Sequence, residues 1–406
     1  MEKRHESIRN MLVVDRKVLF QIPAMYFLLH CIFSMTISYF YTVTSDSTLV
    51  ELVRLSYRLR DVCFVLAAVQ IVLKLKISGD DIFLVGMIGI FYIITRVLFP
   101  QNMVYIESIS AYLILGIECY VVIRTKLLEW KLLKRWTTRF SRILIVAVIL
   151  GILTVPNQAQ YIAKQYMTFA NALILPTGFV MYEAFCRAKS YDYCLFAIGL
   201  ISILAFGSRG SFVLLALLFL VYIYSKNQNK KVLYVGLGLL LVLWIGADIS
   251  GVGDNIVSGL LGNSNSRTLN SIFSGSLFKS QRTRVYAYLG KCIVSDVFLG
   301  AGLCADRYYL PMAFTGNDAS YAHNFFLEWT VDFGLIGLLI AIAVTIFILK
   351  NTFSMENREK KWYFYIFFFL IFLQLMISRS WLTEINFFVY AALLMNHTHG
   401  ERENES

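Results

Sequence analysis

The chain has 406 residues, of which 58% are hydrophobic and only 16% are charged, and its mean hydropathy is +0.64. Soluble domains are about 25% charged, so this composition excludes a cytosolic enzyme, a nucleic-acid-binding protein and a secreted disulfide scaffold. It predicts an integral membrane protein. The formal net charge of +11 does not by itself indicate a polyanionic partner, because cytoplasmic loops of membrane proteins collect Lys and Arg.

Apolar runs of about 16–25 residues recur from one end of the chain to the other, and each could cross about 30 Å of hydrocarbon as a helix. The fold class is therefore predicted to be all-α, a polytopic membrane protein with about twelve transmembrane helices. The predicted spans are 18–43, 49–74, 82–98, 103–123, 143–158, 166–186, 191–207, 211–225, 232–249, 325–349, 362–378 and 382–396.

The distribution of positive charge predicts the orientation of these spans. With the N-terminus inside, 24 of the 37 Lys and Arg residues fall in cytoplasmic segments, and only 9 fall on the opposite side, as the positive-inside rule requires. Both termini are then cytoplasmic, and the first apolar run is a retained span. The predicted regions are helices 1–9 in 1–249, one long extracytoplasmic loop in 250–324, helices 10–12 in 325–396 and a cytoplasmic tail in 397–406.

Arginines and one glycine-flanked turn mark the outer boundary of several predicted helices. Gly207-Ser208-Arg209-Gly210 lies between the seventh and eighth spans, where backbone N–H groups and a guanidinium could hold a phosphate oxygen; the alternative is a short turn with one snorkelling arginine. Arginines near helix ends usually face a wet cavity or a partner, or pair internally with Asp61, Glu107 or Glu118. The arginines of this kind are Arg54, Arg58 and Arg96.

The long loop contains a second set of candidate residues. Gln281–Tyr288 is predicted to form an amphipathic helix that carries Arg282 and Arg284 and leads into Phe298-Leu299-Gly300-Ala301-Gly302. Cys292 and Cys304 also lie in this loop and could pair in an oxidising compartment.

His323 closes the loop where the tenth helix begins, and it is the only histidine predicted at the outer surface. A histidine there can take a proton from a hydroxyl or orient it, although His323 and Asn324 could also simply cap the helix. Glu328 lies one turn further along and either positions His323 or pairs within the bundle. Together with the arginines, His323 predicts a cationic cavity at the outer boundary, suited to a lipid-linked diphosphate.

Three of these stretches resemble the O-antigen ligase/polymerase superfamily, which includes Wzy-type polysaccharide polymerases. They are Gly207–Gly210, the segment from Arg284 to Gly302, and His323-Asn324 through Gly334-Leu335-Ile336-Gly337-Leu338, so the resemblance covers roughly residues 200–345. It implies a GT-C-like, metal-independent membrane glycosyltransferase without a cofactor, whose donor is an undecaprenyl-diphosphate-linked oligosaccharide. By the same resemblance Arg209 and Arg284 bind the diphosphate leaving group, and His323 orients or deprotonates the acceptor hydroxyl.

The expected function is polymerisation of lipid-linked repeat units into O-antigen, capsular polysaccharide or exopolysaccharide at the outer face of the bacterial cytoplasmic membrane. Expected partners are the lipid-linked oligosaccharide, membrane lipid, a chain-length regulator and a flippase, with no nucleic acid. Two alternatives stay open. One is an O-antigen ligase, which transfers finished glycan to a different acceptor. The other is a glycolipid flippase or transporter, which would place charged residues and broken helices near the bilayer midplane.

Overall fold

The computed structural model describes residues 16–43, 47–74, 79–154, 158–187, 189–205, 209–227, 281–295, 297–314 and 320–405. Every regular element in these ranges is helical. The predicted all-α class is therefore confirmed. The ninth predicted span, 232–249, and the first part of the long loop lie outside the described residues.

The helices overlap the predicted apolar runs in the described residues, although the first run is divided into two helices and the helices at the fifth and sixth runs begin 13 and 8 residues earlier than predicted. Up to residue 227 they are α1 (Arg16–Ile32), α2 (Ser34–Val43), α3 (Ser47–Lys74), α4 (Gly79–Leu98), α5 (Met103–Arg124), α6 (Trp130–Thr154), α7 (Gln158–Arg187), α8 (Ser190–Ala205) and α9 (Arg209–Asn227). The later helices are α10 (Gln281–Ser295), α11 (Ala305–Ala313), α12 (Phe325–Phe353), α13 (Arg358–Phe367) and α14 (Ile385–Glu405). A π-helical turn, Phe368–Phe372, and a short turn, Leu373–Leu375, extend α13.

Two helices of the described chain are long and apolar enough to cross a membrane: Pro100–Arg124, which includes the 3-10 turn before α5, and Phe325–Phe353. A third span is formed if α1 and α2 count as one, although the pair is bent by 68°. At the bend, the Asn386 side chain donates a hydrogen bond to the Ile32 carbonyl at 3.0 Å. The chain is thus an integral membrane protein, while the count of twelve spans stays a prediction.

The helices pack around an aromatic core supplied largely by the C-terminal third of the chain. α14 runs along α5, and α7 packs against α6 and α8. Tyr363, Phe367, Phe372 and Tyr390 are almost completely buried. By contrast, α3 and α4 expose long apolar faces, which include Leu55, Val62, Leu73, Ile82 and Val97. Exposed apolar faces of this kind suit contact with lipid.

One end of the bundle is organised by a backbone interlock between the loop segment 297–302 and a break in α12. Phe333 and Gly334 leave the helical conformation, and Gly334 has φ +61°. Leu335 N–H donates to the Val297 carbonyl at 2.7 Å, and Gly302 N–H donates to the Asp332 carbonyl at 2.8 Å.

Glycine is required at two positions of this interlock. A Cβ on Gly334 would lie 2.5 Å from the Phe298 carbonyl oxygen, and one on Gly300 would lie 2.5 Å from Gly334 N. Both residues also have positive φ, which other residues adopt only at a cost. The glycines of the two sequence motifs are therefore explained by a single contact, in which two backbones meet without side chains between them.

Candidate active site

We call the end of the bundle that carries this interlock the loop end; it comprises residues 99–102, 297–307, 320–324 and 376–384. Asn102, in the turn before α5, donates from its side chain to the carbonyls of Ala301 and Leu303 at 2.8 and 3.1 Å. Thr95, near the end of α4, accepts from Leu303 N–H at 2.8 Å. The described part of the long loop is therefore seated directly on the helix ends.

His323 lies at the centre of the loop end, with a strained backbone. Its φ is +54°, one of three positive values among the described residues other than glycine. Such a conformation costs on the order of 1 kcal/mol and persists only where the surroundings impose it. The Tyr321 ring lies 4.0 Å from the imidazole, centroid to centroid, and the Tyr286 hydroxyl donates to the His323 carbonyl at 3.4 Å. His323 is thus held from both its ring and its backbone.

The neighbour of the imidazole indicates which nitrogen carries the proton. His323 Nδ1 lies 3.4 Å from the Ser378 carbonyl oxygen, and a carbonyl can only accept, so Nδ1 is the protonated nitrogen and Nε2 keeps its lone pair. Burial lowers the pKa of His323 below its ordinary value of 6.5; the Ser378 carbonyl and Asp306 oppose this shift, while Arg282 and Arg307 add to it. A neutral imidazole with a free Nε2 is suited to accept a proton near neutral pH.

The irregular segment 376–380, which follows the π-helical turn, collects most of the polar contacts around His323. The Tyr321 hydroxyl donates to the Ser378 carbonyl at 2.7 Å, and the Asn324 side chain donates to the Met376 carbonyl at 3.1 Å. π-helical turns often occur at functional sites. The carbonyls that accept here belong to the irregular segment after the turn, and they bind the residues that precede α12.

Asn324 and Glu328 have distinct places in this arrangement. Asn324 is the N-cap of α12, and its side-chain oxygen accepts from Leu327 N–H at 3.0 Å. The capping alternative thus applies to Asn324, whereas His323 precedes the cap and packs on Tyr321. Glu328 is fully buried and pairs with Arg307 at 3.1 Å. Of the two readings of Glu328, these contacts correspond to pairing within the bundle.

Arg282 and Arg284 lie on α10 but meet different surroundings. Arg282 is partly buried, and its Nη1 donates to the Ile377 carbonyl at 2.9 Å. No carboxylate of the described residues lies within ion-pair distance of it. Arg284 is exposed, and its guanidinium carbon lies 5.6 Å from the centroid of the Phe314 ring. Of the two, Arg282 is the arginine that the structure places next to the His323 group.

The other predicted site residues are not brought into contact with His323 in the described structure. Arg54 is exposed and pairs with Glu51 at 2.5 Å, and Arg58 is exposed. Arg96 contacts Tyr92 at 3.3 Å. Asp61, suggested as a partner of Arg54 and Arg58, pairs instead with Arg60 at 2.6 Å. Arg209 begins α9, but its side chain and the whole of Ser208 lie outside the described part.

Several site residues were missed by the sequence analysis, above all a buried ion-pair network behind His323. Arg307 is only 6% exposed, and burial lowers its pKa, but Asp306 and Glu328 outweigh this effect and raise it. A second buried arginine, Arg379, pairs with Glu384 and donates to the Asn171 carbonyl at 3.3 Å. The available signals were an Asp-Arg pair inside an uncharged stretch and a Ser-Arg-Ser tripeptide between two apolar runs.

The two loop cysteines are both free thiols. Cys304 is buried beside Arg307 and Asp332, and burial raises its pKa. Among the described residues there is no cluster of three or more His, Cys, Asp or Glu side chains that could hold a metal ion.

Comparison with known proteins agrees with the motifs at this end of the bundle. Residues 194–342 match the family model described as O-antigen ligase. A search of curated proteins found no match for the chain. The matched stretch includes Ser208-Arg209-Gly210, the interlocked glycines and His323, and it covers the loop-end residues 297–307 and 320–324 but not 99–102 or 376–384. This match confirms the resemblance to the O-antigen ligase/polymerase superfamily over residues 194–342 of this membrane protein.

Proposed function

We propose that the protein is a membrane glycosyltransferase that polymerises lipid-diphosphate-linked oligosaccharide repeat units into O-antigen, capsular polysaccharide or exopolysaccharide. The observation that carries the proposal is the placement of His323, whose Nδ1 faces the Ser378 carbonyl while Arg282, which meets no carboxylate of the described residues, binds the adjacent Ile377 carbonyl. This pairing of a base and a cation supports transfer from a phosphate-linked donor to a hydroxyl acceptor.

In the proposed reaction, a hydroxyl of the acceptor sugar attacks the anomeric carbon of the donor. A new carbon–oxygen bond forms as the bond to the lipid diphosphate breaks, and the electron pair of that bond leaves with the phosphate. The hydroxyl proton passes to His323 Nε2. Guanidinium groups neutralise the departing diphosphate, a role for which we propose Arg282 together with Arg209 and Arg284.

The remaining predicted residues have supporting roles in this proposal. Ser208 and Arg209 would bind phosphate at the start of α9, and Asn324 would hold the backbone after His323. Arg54, Arg58 and Arg96 lie on exposed helix faces, where they suit phosphate groups of the lipid carrier or of membrane lipid that approaches from the bilayer.

The proposed location is the outer face of the bacterial cytoplasmic membrane, with both termini in the cytoplasm. The proposed donor is an undecaprenyl-diphosphate-linked oligosaccharide, which a flippase delivers, and a chain-length regulator is a proposed partner. Apolar side chains exposed along α3 and α4 offer a surface for the lipid tail. The loop end would then hold the diphosphate at the level of the headgroups.

A ligase is the second candidate, because the matching family model carries that description. It would use the same donor chemistry and the same histidine, but would transfer finished glycan to an acceptor such as lipid A core or protein. The two functions differ in the acceptor, so they are separated by the product rather than by the site.

The test is expression of the full chain in a strain that lacks its repeat-unit polymerase, with glycan length read on a gel. The wild type is expected to restore long chains, while His323→Ala and Arg282→Ala leave single repeat units at normal membrane expression. Long chains from both variants would contradict the mechanism. Restoration of glycan transfer only in a ligase-deficient strain would instead establish the ligase.

A further inference from the structure

Arg307 is buried from solvent, yet its contacts lead to the two segments beside His323: the backbone that precedes it and the segment 376–380. Its Nη1 donates to Asp306 Oδ1 at 3.0 Å and to Glu328 Oε1 at 3.1 Å, and its Nη2 donates to Ser380 Oγ at 2.7 Å. With 6% of its surface exposed, Arg307 cannot bind a substrate directly in this conformation. Its influence on the reaction must pass through other residues.

The first connection runs through Asp306 to the backbone that precedes the histidine. Asp306 Oδ2 accepts from Ala322 N–H at 2.7 Å, and Asp306 is fully buried. Ala322 is the residue directly before His323, whose φ of +54° needs an external constraint. The Asp306 carboxylate supplies such a constraint, with Arg307 holding its other oxygen.

The second connection runs through Ser380 to the Ser378 carbonyl, which faces His323 Nδ1. Ser380 lies two residues after Ser378. Ser380 Oγ receives the Arg307 hydrogen bond and also contacts Glu328 Oε1 at 2.5 Å. In addition, the Arg307 guanidinium carbon lies 5.7 Å from the centroid of the Tyr321 ring, which packs on His323.

We propose that Asp306 and Arg307 are positioning residues that hold His323 with Nδ1 on the Ser378 carbonyl and leave Nε2 for the acceptor hydroxyl. The inference rests on the proposed function, in which His323 takes the proton. It explains why two opposite charges are buried here, where an apolar pair of the same size would usually be no less stable. The charges fix one orientation of the imidazole.

The charges around His323 give the proposal a direct physical test. The charged groups that act on its imidazole are Arg282 from α10 and Asp306 and Arg307 from α11, and Tyr321 and Tyr286 contact its ring and backbone. Loss of the Arg307 charge should raise the pKa of His323, because a neighbouring cation disfavours protonation. Loss of the Asp306 charge should lower it. Opposite shifts would show that both charges act on the imidazole, while the tautomer and kcat test whether they also hold its orientation.

The first experiment is a pH titration of 15N-histidine in the full-length protein in detergent micelles, followed by NMR. The protein has five histidines, and His323→Ala assigns the signal. The expected results are an Nδ1–H tautomer in the wild type, a raised pKa in Arg307→Gln and a lowered pKa in Asp306→Asn. Asp81→Asn is the matched control, because Asp81 is a buried partner of Arg124 at the other end of the bundle. It should leave the His323 titration unchanged.

The second experiment measures kinetics with lipid-linked repeat units extracted from a polymerase-deficient strain. Asp306→Asn is expected to lower kcat about 100-fold with little change in KM, as misplacement of a catalytic group does, and Arg307→Lys should recover more activity than Arg307→Gln. Ser380→Ala interrupts the second connection without removing a charge, and tests the proposal if the Arg307 variants fail to fold.

The outcomes separate this inference from the function on which it rests. If His323→Ala abolishes chain synthesis while Asp306→Asn and Ser380→Ala keep the wild-type kcat and His323 titration, the positioning role is wrong and the proposed function stands. If His323→Ala itself retains wild-type activity, the proposed mechanism fails first. Equal pKa shifts in the same direction from Arg307→Gln and Asp306→Asn would also overturn the positioning role.

Discussion

The two ends of the helix bundle hold their charges in different ways. At the end opposite the loop end, Arg142 forms a two-point pair with Asp192 at 2.7 and 2.8 Å, and Arg124 binds Asp81 at 2.5 Å and Asn396 at 3.0 Å. Lys134 pairs there with Glu359. At the loop end, Arg307 and Arg379 are similarly paired, but among the described residues Arg282 meets a backbone carbonyl and no carboxylate.

This difference teaches how to distinguish an arginine that stabilises the fold from one that is available to a ligand. Closed pairs such as Arg142–Asp192 satisfy each other and leave no charge for an anion. Within the described part of the chain, Arg282 faces a carbonyl and no carboxylate, so its guanidinium is suited to contact an anion near His323. The net charge of +11 therefore matters less for ligand binding than the balance of positive and negative side chains within a few ångströms of the histidine.

The largest expected effect on stability comes from the ion pairs at the end of the bundle opposite the loop end. Arg142→Ala leaves Asp192, which is fully buried, without its cation, and breaking such a pair costs about 3–5 kcal/mol. Thermal unfolding of the purified protein in detergent should show a clear loss, while glycan synthesis per folded molecule stays near that of the wild type. A variant that melts normally but makes no glycan would contradict the structural role assigned to this end.

Arg282→Ala should give the opposite combination of effects. Among the described residues the variant loses the hydrogen bond to the Ile377 carbonyl, so stability should fall by about 1–2 kcal/mol. Chain synthesis should fall about 100-fold because diphosphate neutralisation is lost. Paired melting and gel assays measure both quantities. Arg284→Ala is the control on the same helix. If both variants lower synthesis equally, the specific role assigned to Arg282 is contradicted.

The pH dependence of chain synthesis should follow the protonation of His323 at the loop end. Because burial lowers the pKa of His323 below 6.5, the imidazole stays neutral, and able to accept a proton, to more acidic pH than a free histidine. Activity should therefore rise with pH and reach its plateau with a midpoint below 6.5, measured on extracted lipid-linked units. A midpoint above 6.5 would show that the site does not hold His323 in its neutral form.

The smallest effect is expected at the exposed arginine of α3. Arg54 and Glu51 are both largely exposed, and surface pairs of this kind contribute little to stability. Arg54→Ala should melt like the wild type. If the gel also shows normal chain length, the lipid-binding role proposed for Arg54 is refuted, and the residues needed for synthesis are confined to the loop end. Shortened chains would show that α3 also takes part in synthesis.

The sequence by itself determined the membrane class, the helical positions and the motif residues around His323. These are local properties: an apolar run, a glycine and a polar cap can be recognised within a few neighbouring residues. Thus the helix expected at 325–349 is found as Phe325–Phe353, and Asn324 caps it. The same reasoning selected both Arg282 and Arg284 and, by resemblance, assigned the diphosphate to Arg284, because nothing in the local sequence shows which of the two approaches His323.

Only the tertiary structure decided which charges are neutralised and which groups face the histidine. Arg307 meets Glu328 across 21 residues, His323 meets Ser378 across 55 and Arg282 meets Ile377 across 95. Nothing in local hydrophobic periodicity encodes such pairings, since they arise when separate helices pack and buried polar groups must find partners. For that reason Asp306, Arg307, Tyr321 and Arg379 emerged only from the folded chain, and the backbone carbonyl that orients His323 was invisible in the sequence.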